Sequence, residues 1–233
     1  MIRNFLFSLF FFLGIIFISL IFLPTFLLPQ KIVLFGGKIM GYWASFCLRI
    51  FLSTKIIIKG KENIVKNKKF FIAASHQSMF ETFFLQTIFN SPVFILKKEL
   101  LTIPIFGWYL KKIGSISIKR NKVSKENLGF FDDIFKLINS SDRPLIIFPQ
   151  GTRLPPTDRA PFKKGASRIY EQLNISCQPV ALNSGYIWPK HGLKQSNKVL
   201  TISILNPIEP GLDKVVFLRK LQDDIYFELD NLN

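Results

Sequence analysis

The residues best suited to chemistry stand together in the octet Ala74-Ser75-His76-Gln77-Ser78-Met79-Phe80-Glu81. It follows Phe70-Phe71-Ile72-Ala73, an apolar run that reads as a short buried strand, and precedes Thr82 to Phe89, which reads as a helix. A histidine at the mouth of a strand, with a carboxylate five residues on, suits a general base. One ring nitrogen of His76 would take a proton from a substrate while Glu81 holds the other. A plain structural reading stays open beside it: His76 caps the helix, and Glu81 sits in a first turn that favours acidic residues anyway.

A second set of candidates is polar and mostly cationic. Lys97-Lys98, Lys119-Arg120 and Gln150-Gly151-Thr152-Arg153 each follow an apolar run that reads as a strand. Ligands of α/β sheets bind beyond the carboxyl ends of the strands. If these ends converge, the site holds one base, one carboxylate and several fixed cations, which suits an anionic substrate, most simply a phosphate. Gly151 permits a close backbone approach, Thr152 offers a hydroxyl and its N–H, and N–H groups near Gly151 are candidates to face an oxyanion. There is no nucleophilic Ser or Cys in an elbow motif, which suggests direct attack by a substrate hydroxyl. Taken singly, each basic residue fits a solvated surface charge; their shared position after strands favours a site.

The elements that must carry these residues alternate. Strands are expected at 55–60, 70–74, 92–96, 116–118, 144–148, 177–182 and 199–205. Helices are expected at 82–89, 124–139 with Ser124 as N-cap, 165–173 and 212–229, with a short apolar helix or turn near the membrane at 103–110. The class is α/β, a sheet flanked by helices.

The chain has 233 residues, 48% of them hydrophobic, with 26 Phe, enough for one domain with a sizeable core. Its net charge of +16 admits nucleic acid or an anionic membrane as partner. The membrane fits better. Most Phe lie in apolar runs rather than between cations, and no charge occurs from Phe5 to Pro29. Phe5 to Leu23 nearly reaches the roughly 20 residues of a spanning helix, and Pro24 should end it. It either spans once or dips in and returns at Pro24–Pro29. It is too long for a signal peptide and lacks an Ala-x-Ala-like site. Ile32 to Leu52 reads as an amphipathic interfacial helix with Tyr42 and Trp43 at headgroup depth, or alternatively as a core helix. Residues 1–52 thus form a membrane-anchoring helical hairpin and 53–233 the soluble domain. Basic residues flank the apolar segment, Arg3 before it and Lys31, Lys38 and Arg49 after it, and the excess after it favours the cytoplasmic face of the cell membrane for the domain that follows. Cys47 and Cys177 suggest reduced thiols; no disulfide framework, metal site or cofactor is expected.

Ser75-His76 through Glu81, Gly114 to Arg120, Phe148 to Arg153 and Pro179 to Asn183, with Pro161 to Ala166 after the third, resemble the ordered blocks of the glycerolipid acyltransferases, most closely the 1-acyl-glycerol-3-phosphate acyltransferases of the PlsC type. The resemblance covers about Lys55 to Asn206. It implies a mixed sheet flanked by helices and transfer of an acyl group from acyl-CoA or acyl-carrier protein to the sn-2 hydroxyl of lysophosphatidic acid. It makes His76 the base and Glu81 its partner, and puts Lys97, Arg120, Gln150, Gly151, Thr152 and Arg153 at the substrate. It implies membrane lipids as surroundings and no nucleic acid. The alternatives are another lysolipid acceptor, such as a lyso-ornithine lipid, or a non-enzymatic basic membrane-binding protein. Two residues depart from the family pattern. Glu81 stands where Asp is usual, one methylene longer, and Gln150 stands where Glu is usual, keeping the acceptor oxygen but not the charge.

Overall fold

The computed structural model describes residues 1–118 and 129–232. Among these residues, seven strands form one sheet: β1 (Lys55–Lys59), β2 (Phe70–Ala74), β3 (Val93–Lys97), β4 (Ile116–Ile118), β5 (Leu145–Ile147), β6 (Ser176–Leu182) and β7 (Val199–Ile204). Their spatial order is β1-β7-β6-β2-β5-β3-β4. Pairing is parallel except between β6 and β7, so the sheet is mixed, as expected. The central strands are largely apolar because both faces are covered: all seven residues of β6 and all three of β5 are buried.

Among the described residues, seven α-helices cover the faces: α1 (Ile2–Ile21), α2 (Gln30–Leu52), α3 (Phe80–Ile88), α4 (Phe106–Lys112), α5 (Phe130–Ser140), α6 (Gly165–Leu173) and α7 (Lys214–Asn231). One core cluster joins α1, α2 and α3 to one side of the sheet; the other joins α5, α6 and α7 to the opposite side. The expected helix over 124–139 is described from Phe130 only, and its expected cap Ser124 lies outside the described residues.

The register explains how the site forms. Parallel β2 and β5 align Phe71 with Leu145 and Ala73 with Ile147, and β5 and β3 align Phe94 with Ile146. The carboxyl ends of β6, β2, β5 and β3 therefore lie side by side. Those ends lead into Asn183-Ser184, Ser75-His76, Phe148–Arg153 and Lys97.

The N-terminal helices are built into this core. Pro24 falls in a 3-10 turn (Leu23–Leu27) that ends α1, and Pro29 precedes the first turn of α2. α1 is long and apolar enough to cross a membrane, with mean hydropathy 2.5. Yet Phe7 and Phe11 are fully buried, each meeting the Trp188 ring edge-on at 4.9 Å. At its start, Asn4 Nδ2 donates to Lys194 O (2.9 Å) and Lys194 N donates to Asn4 Oδ1 (2.7 Å). Near its end, Tyr109 OH donates to Ser19 O (2.6 Å). Trp43 differs from the expected headgroup position: its Nε1 donates to Phe11 O (3.3 Å), so it packs inward on α1, while Tyr42 is exposed. Cys47, Leu48 and Leu52 of α2 are fully buried, the core-helix alternative for this segment.

Candidate active site

His76 sits two residues beyond β2, half-buried, with its peptide clamped from both sides. Its N–H donates to Gln150 Oε1 (2.6 Å), and its carbonyl accepts from Leu154 N (2.9 Å). The imidazole stacks on Phe148, ring centroids 4.1 Å apart and planes at 19°. A ring held on an aromatic face, on a peptide fixed by two hydrogen bonds, loses little freedom when it reacts.

Glu81, in the first turn of α3, is completely buried. Its carboxylate accepts from Gln77 N (2.9 Å), from Ser78 N (2.9 and 3.1 Å) and from Ser184 Oγ (2.6 Å). It thereby ties the loop that carries His76 to the carboxyl end of β6. Burial pushes its pKa up to about 7, against the lowering effect of the Ser184 hydroxyl and the backbone amides. Gln77, also buried, accepts from Gly185 N through Oε1 (3.1 Å), a second strap between the same loops.

A cavity of about 480 Å³ opens beside His76. Its polar lining includes His76, Lys97, Thr152, Arg153 and Lys190, and the rest is largely apolar, supplied in the main by α2, α3, β3 and α4. Among the described residues none of the three cations is in an ion pair, so their field acts on the cavity. Of the residues singled out from sequence, the structure brings His76, Lys97, Thr152 and Arg153 to one cavity. Glu81 and Gln150 brace the backbone on which His76 stands. Arg120 lies outside the described residues.

Gly151 takes φ +75°, the left-handed region that glycine occupies without strain. Its N–H donates to Phe148 O (2.9 Å), closing the turn, so that amide is taken up by the loop and does not serve an oxyanion. Sequence reasoning missed Phe148, Ser184 and Lys190. Phe148 was visible as the end of a strand run and the start of a family block, but not as the ring on which His76 stacks. Ser184 reaches Glu81 from 103 positions away, and local spacing carries no trace of that. Lys190 was one lysine among many.

Residues 55–183 match the model of a family described as Acyltransferase. The chain is 33% identical over 156 residues to the 1-acyl-sn-glycerol-3-phosphate acyltransferase of Pseudomonas aeruginosa, covering 64% of this chain and 59% of the relative. It is 30% identical over 187 residues to the protein of the same name from Saccharomyces cerevisiae, covering 76% and 61%. The matched stretch thus spans about three fifths of the length of these relatives. The crystal structure of the 1-acyl-sn-glycerophosphate acyltransferase PlsC from Thermotoga maritima has the same fold, with a TM-score of 0.80 at 22% identity over 99% of this chain and 96% of that one. With the family's model matched from β1 to the end of β6, the chain belongs to the acyltransferase family.

Proposed function

We propose that the protein transfers a fatty acyl group from a thioester donor, acyl-CoA or acyl-carrier protein, to the sn-2 hydroxyl of 1-acyl-sn-glycerol-3-phosphate, giving phosphatidic acid. The observation that carries the reading is the cavity itself: one imidazole and three cations line the same space as a largely apolar set of side chains. The names of the matched relatives point the same way.

In this reading His76 takes the proton of the acceptor hydroxyl as its oxygen attacks the thioester carbonyl, then returns a proton to the departing thiolate. General-base help of this kind lowers a barrier by about 3–5 kcal/mol. Glu81 holds the loop in place and supplies the negative charge that favours the imidazolium. Lys97, Arg153 and Lys190 grip the acceptor phosphate and thereby position its hydroxyl, and Thr152 adds a hydroxyl donor. The apolar remainder of the cavity receives a fatty chain.

The same reading assigns α1 to the membrane, in plane rather than across it. Both ends of α1 are tied to the domain, at Lys194 and at Tyr109. Phe5, Phe12, Ile16 and Phe17 remain exposed along its outer side. A helix fastened at both ends to a domain on one surface lies along that surface.

The test is direct. Purified protein is incubated with a labelled donor and a panel of lysolipids, and products are identified by mass. Phosphatidic acid is expected from lysophosphatidic acid, with loss of product in His76→Ala. Product from another lysolipid alone would move the acceptor assignment, and a fully active His76→Ala would remove the assigned base.

A further inference from the structure

α4 turns Phe106, Tyr109, Leu110 and Ile113 toward the cavity, at the i, i+3, i+4, i+7 spacing of one helix face. Trp108 falls on the opposite side and is 54% exposed; Ile103, just before the helix, is 43% exposed. Single exposed apolar residues are ordinary, but these two continue a larger surface. The Trp108 ring meets Phe26 edge-on at 6.3 Å, and Phe26 also packs on Tyr109 at 4.6 Å. Phe26 belongs to the turn between α1 and α2, beside Leu27, which is 93% exposed. An apolar strip therefore runs from the outer side of α1, over the turn, onto α4. Lys111, exposed, and Lys112 follow at the end of α4.

The backbone holds this knuckle against its own preference. Ile105 lies at φ 63°, costly for a β-branched residue, in a γ-turn where Phe106 N donates to Pro104 O (2.6 Å). The turn folds residues 98–102 back onto α4 so tightly that a Cβ at Gly107 would stand 2.2 Å from Leu101 O. Strained backbone is kept where function needs the shape it enforces.

We propose that residues 98–112 form a second membrane contact, with Ile103 and Trp108 seated in the acyl–headgroup boundary of an anionic bilayer and Lys111 at its phosphates. A tryptophan beside lysines, continuous with an apolar face, is the pattern of an interfacial anchor. The proposal rests on the in-plane reading of α1 and extends it: the outer side of the cavity wall faces lipid.

Ile103→Cys labelled with a polarity-sensitive fluorophore tests it, since Cys47 and Cys177 are fully buried and escape labelling. The full chain is mixed with vesicles of phosphatidylglycerol and phosphatidylcholine, with or without brominated acyl chains. The expected result is a blue shift, with quenching by the brominated chains. Trp108→Asp should weaken vesicle binding by about tenfold or more while keeping turnover on a short-chain, water-soluble acceptor. Protein that binds vesicles with a water-like, unquenched probe overturns the second contact and leaves the α1 anchor standing. Protein that ignores vesicles overturns both.

Discussion

Glu81 should make the fold less stable as the pH rises, and Glu81→Gln should remove that dependence. Its carboxyl is completely buried, and burial lifts its pKa from 4.5 to about 7. A group whose folded pKa lies above its unfolded value binds its proton more tightly in the native state. Its stabilising contribution is therefore complete below pH 4.5 and is lost as the pH climbs through about 7. At 1.36 kcal/mol per unit, the whole effect is about 3 kcal/mol. For a chain of this size that corresponds to roughly 6–12 °C in melting temperature.

The measurement is the difference in thermal unfolding between the native protein and Glu81→Gln, in one detergent, from pH 5 to pH 8. Other titrating groups are common to both proteins and cancel. The Glu81→Gln variant would lack the second carboxylate oxygen that Ser78 N uses, so it should be weaker by a constant amount at every pH. On that constant, the native protein should lose its advantage steadily through pH 7. A flat difference, or an advantage for the native protein that grows with pH, would refute the burial argument. The same residue must be ionised to favour an imidazolium at His76, so the pH that erodes stability is the pH that arms the proposed base. Activity rising through neutral pH as the melting temperature falls is the joint signature.

Further outcomes follow from the same contacts. Ser184→Ala removes a hydroxyl that lowers the Glu81 pKa, so the stability loss should move to higher pH, read from the same melting series. Arg153→Ala should raise the apparent KM for a phosphate-bearing acceptor about tenfold or more, the worth of one charged hydrogen bond. Lys190→Ala should act in the same direction, and an equal fall on a phosphate-free acceptor would remove both from the phosphate. Gln150→Leu takes the acceptor from His76 N and should cost about 1–3 kcal/mol of stability along with activity, whereas Gln150→Glu keeps that oxygen and should stay active in the mass assay. Phe11→Ala empties a site between Trp188 and Phe83 and should cost about 3–5 kcal/mol by denaturant unfolding.

Much of the domain was legible because its strands are buried on both faces. Continuous apolar runs such as Pro144–Phe148 then stand out against polar flanks, and the residues after them lie at strand ends by construction. That is why His76, Lys97 and Arg153 could be named before their neighbours were known. What local pattern does not encode is which strand lies beside which. The contact of β6 with β2, and not with its sequence neighbour β5, brings Ser184 to Glu81. The reading of Glu81 changes accordingly. Spacing suggested a partner for the imidazole, and the structure adds a brace that gathers the amides of Gln77 and Ser78. Trp43 shows the complementary failure. Its place in an apolar helix fits headgroups or protein equally well, and the carbonyl of Phe11 on a separate helix decides the matter.

The N-terminal helix shows why hydropathy alone misleads about how a segment meets a bilayer. Burial in protein and burial in lipid select the same side chains, so Phe7 and Phe12 look alike in sequence although one is fully buried and the other 52% exposed. The discriminating residues are the few polar ones. In a helix surrounded by hydrocarbon, Asn4 would hold unsatisfied groups at a cost of several kcal/mol. Here it exchanges two hydrogen bonds with Lys194, and Ser8 accepts a third from the ammonium of that lysine. Polar residues placed along one side of an apolar helix mark the side that must meet protein, and the opposite side is what remains for lipid. That division fixes α1 along the face of the domain and, on the proposed in-plane reading, sets the cavity mouth level with the membrane, where a substrate hydroxyl can reach His76 while its fatty chain stays out of water.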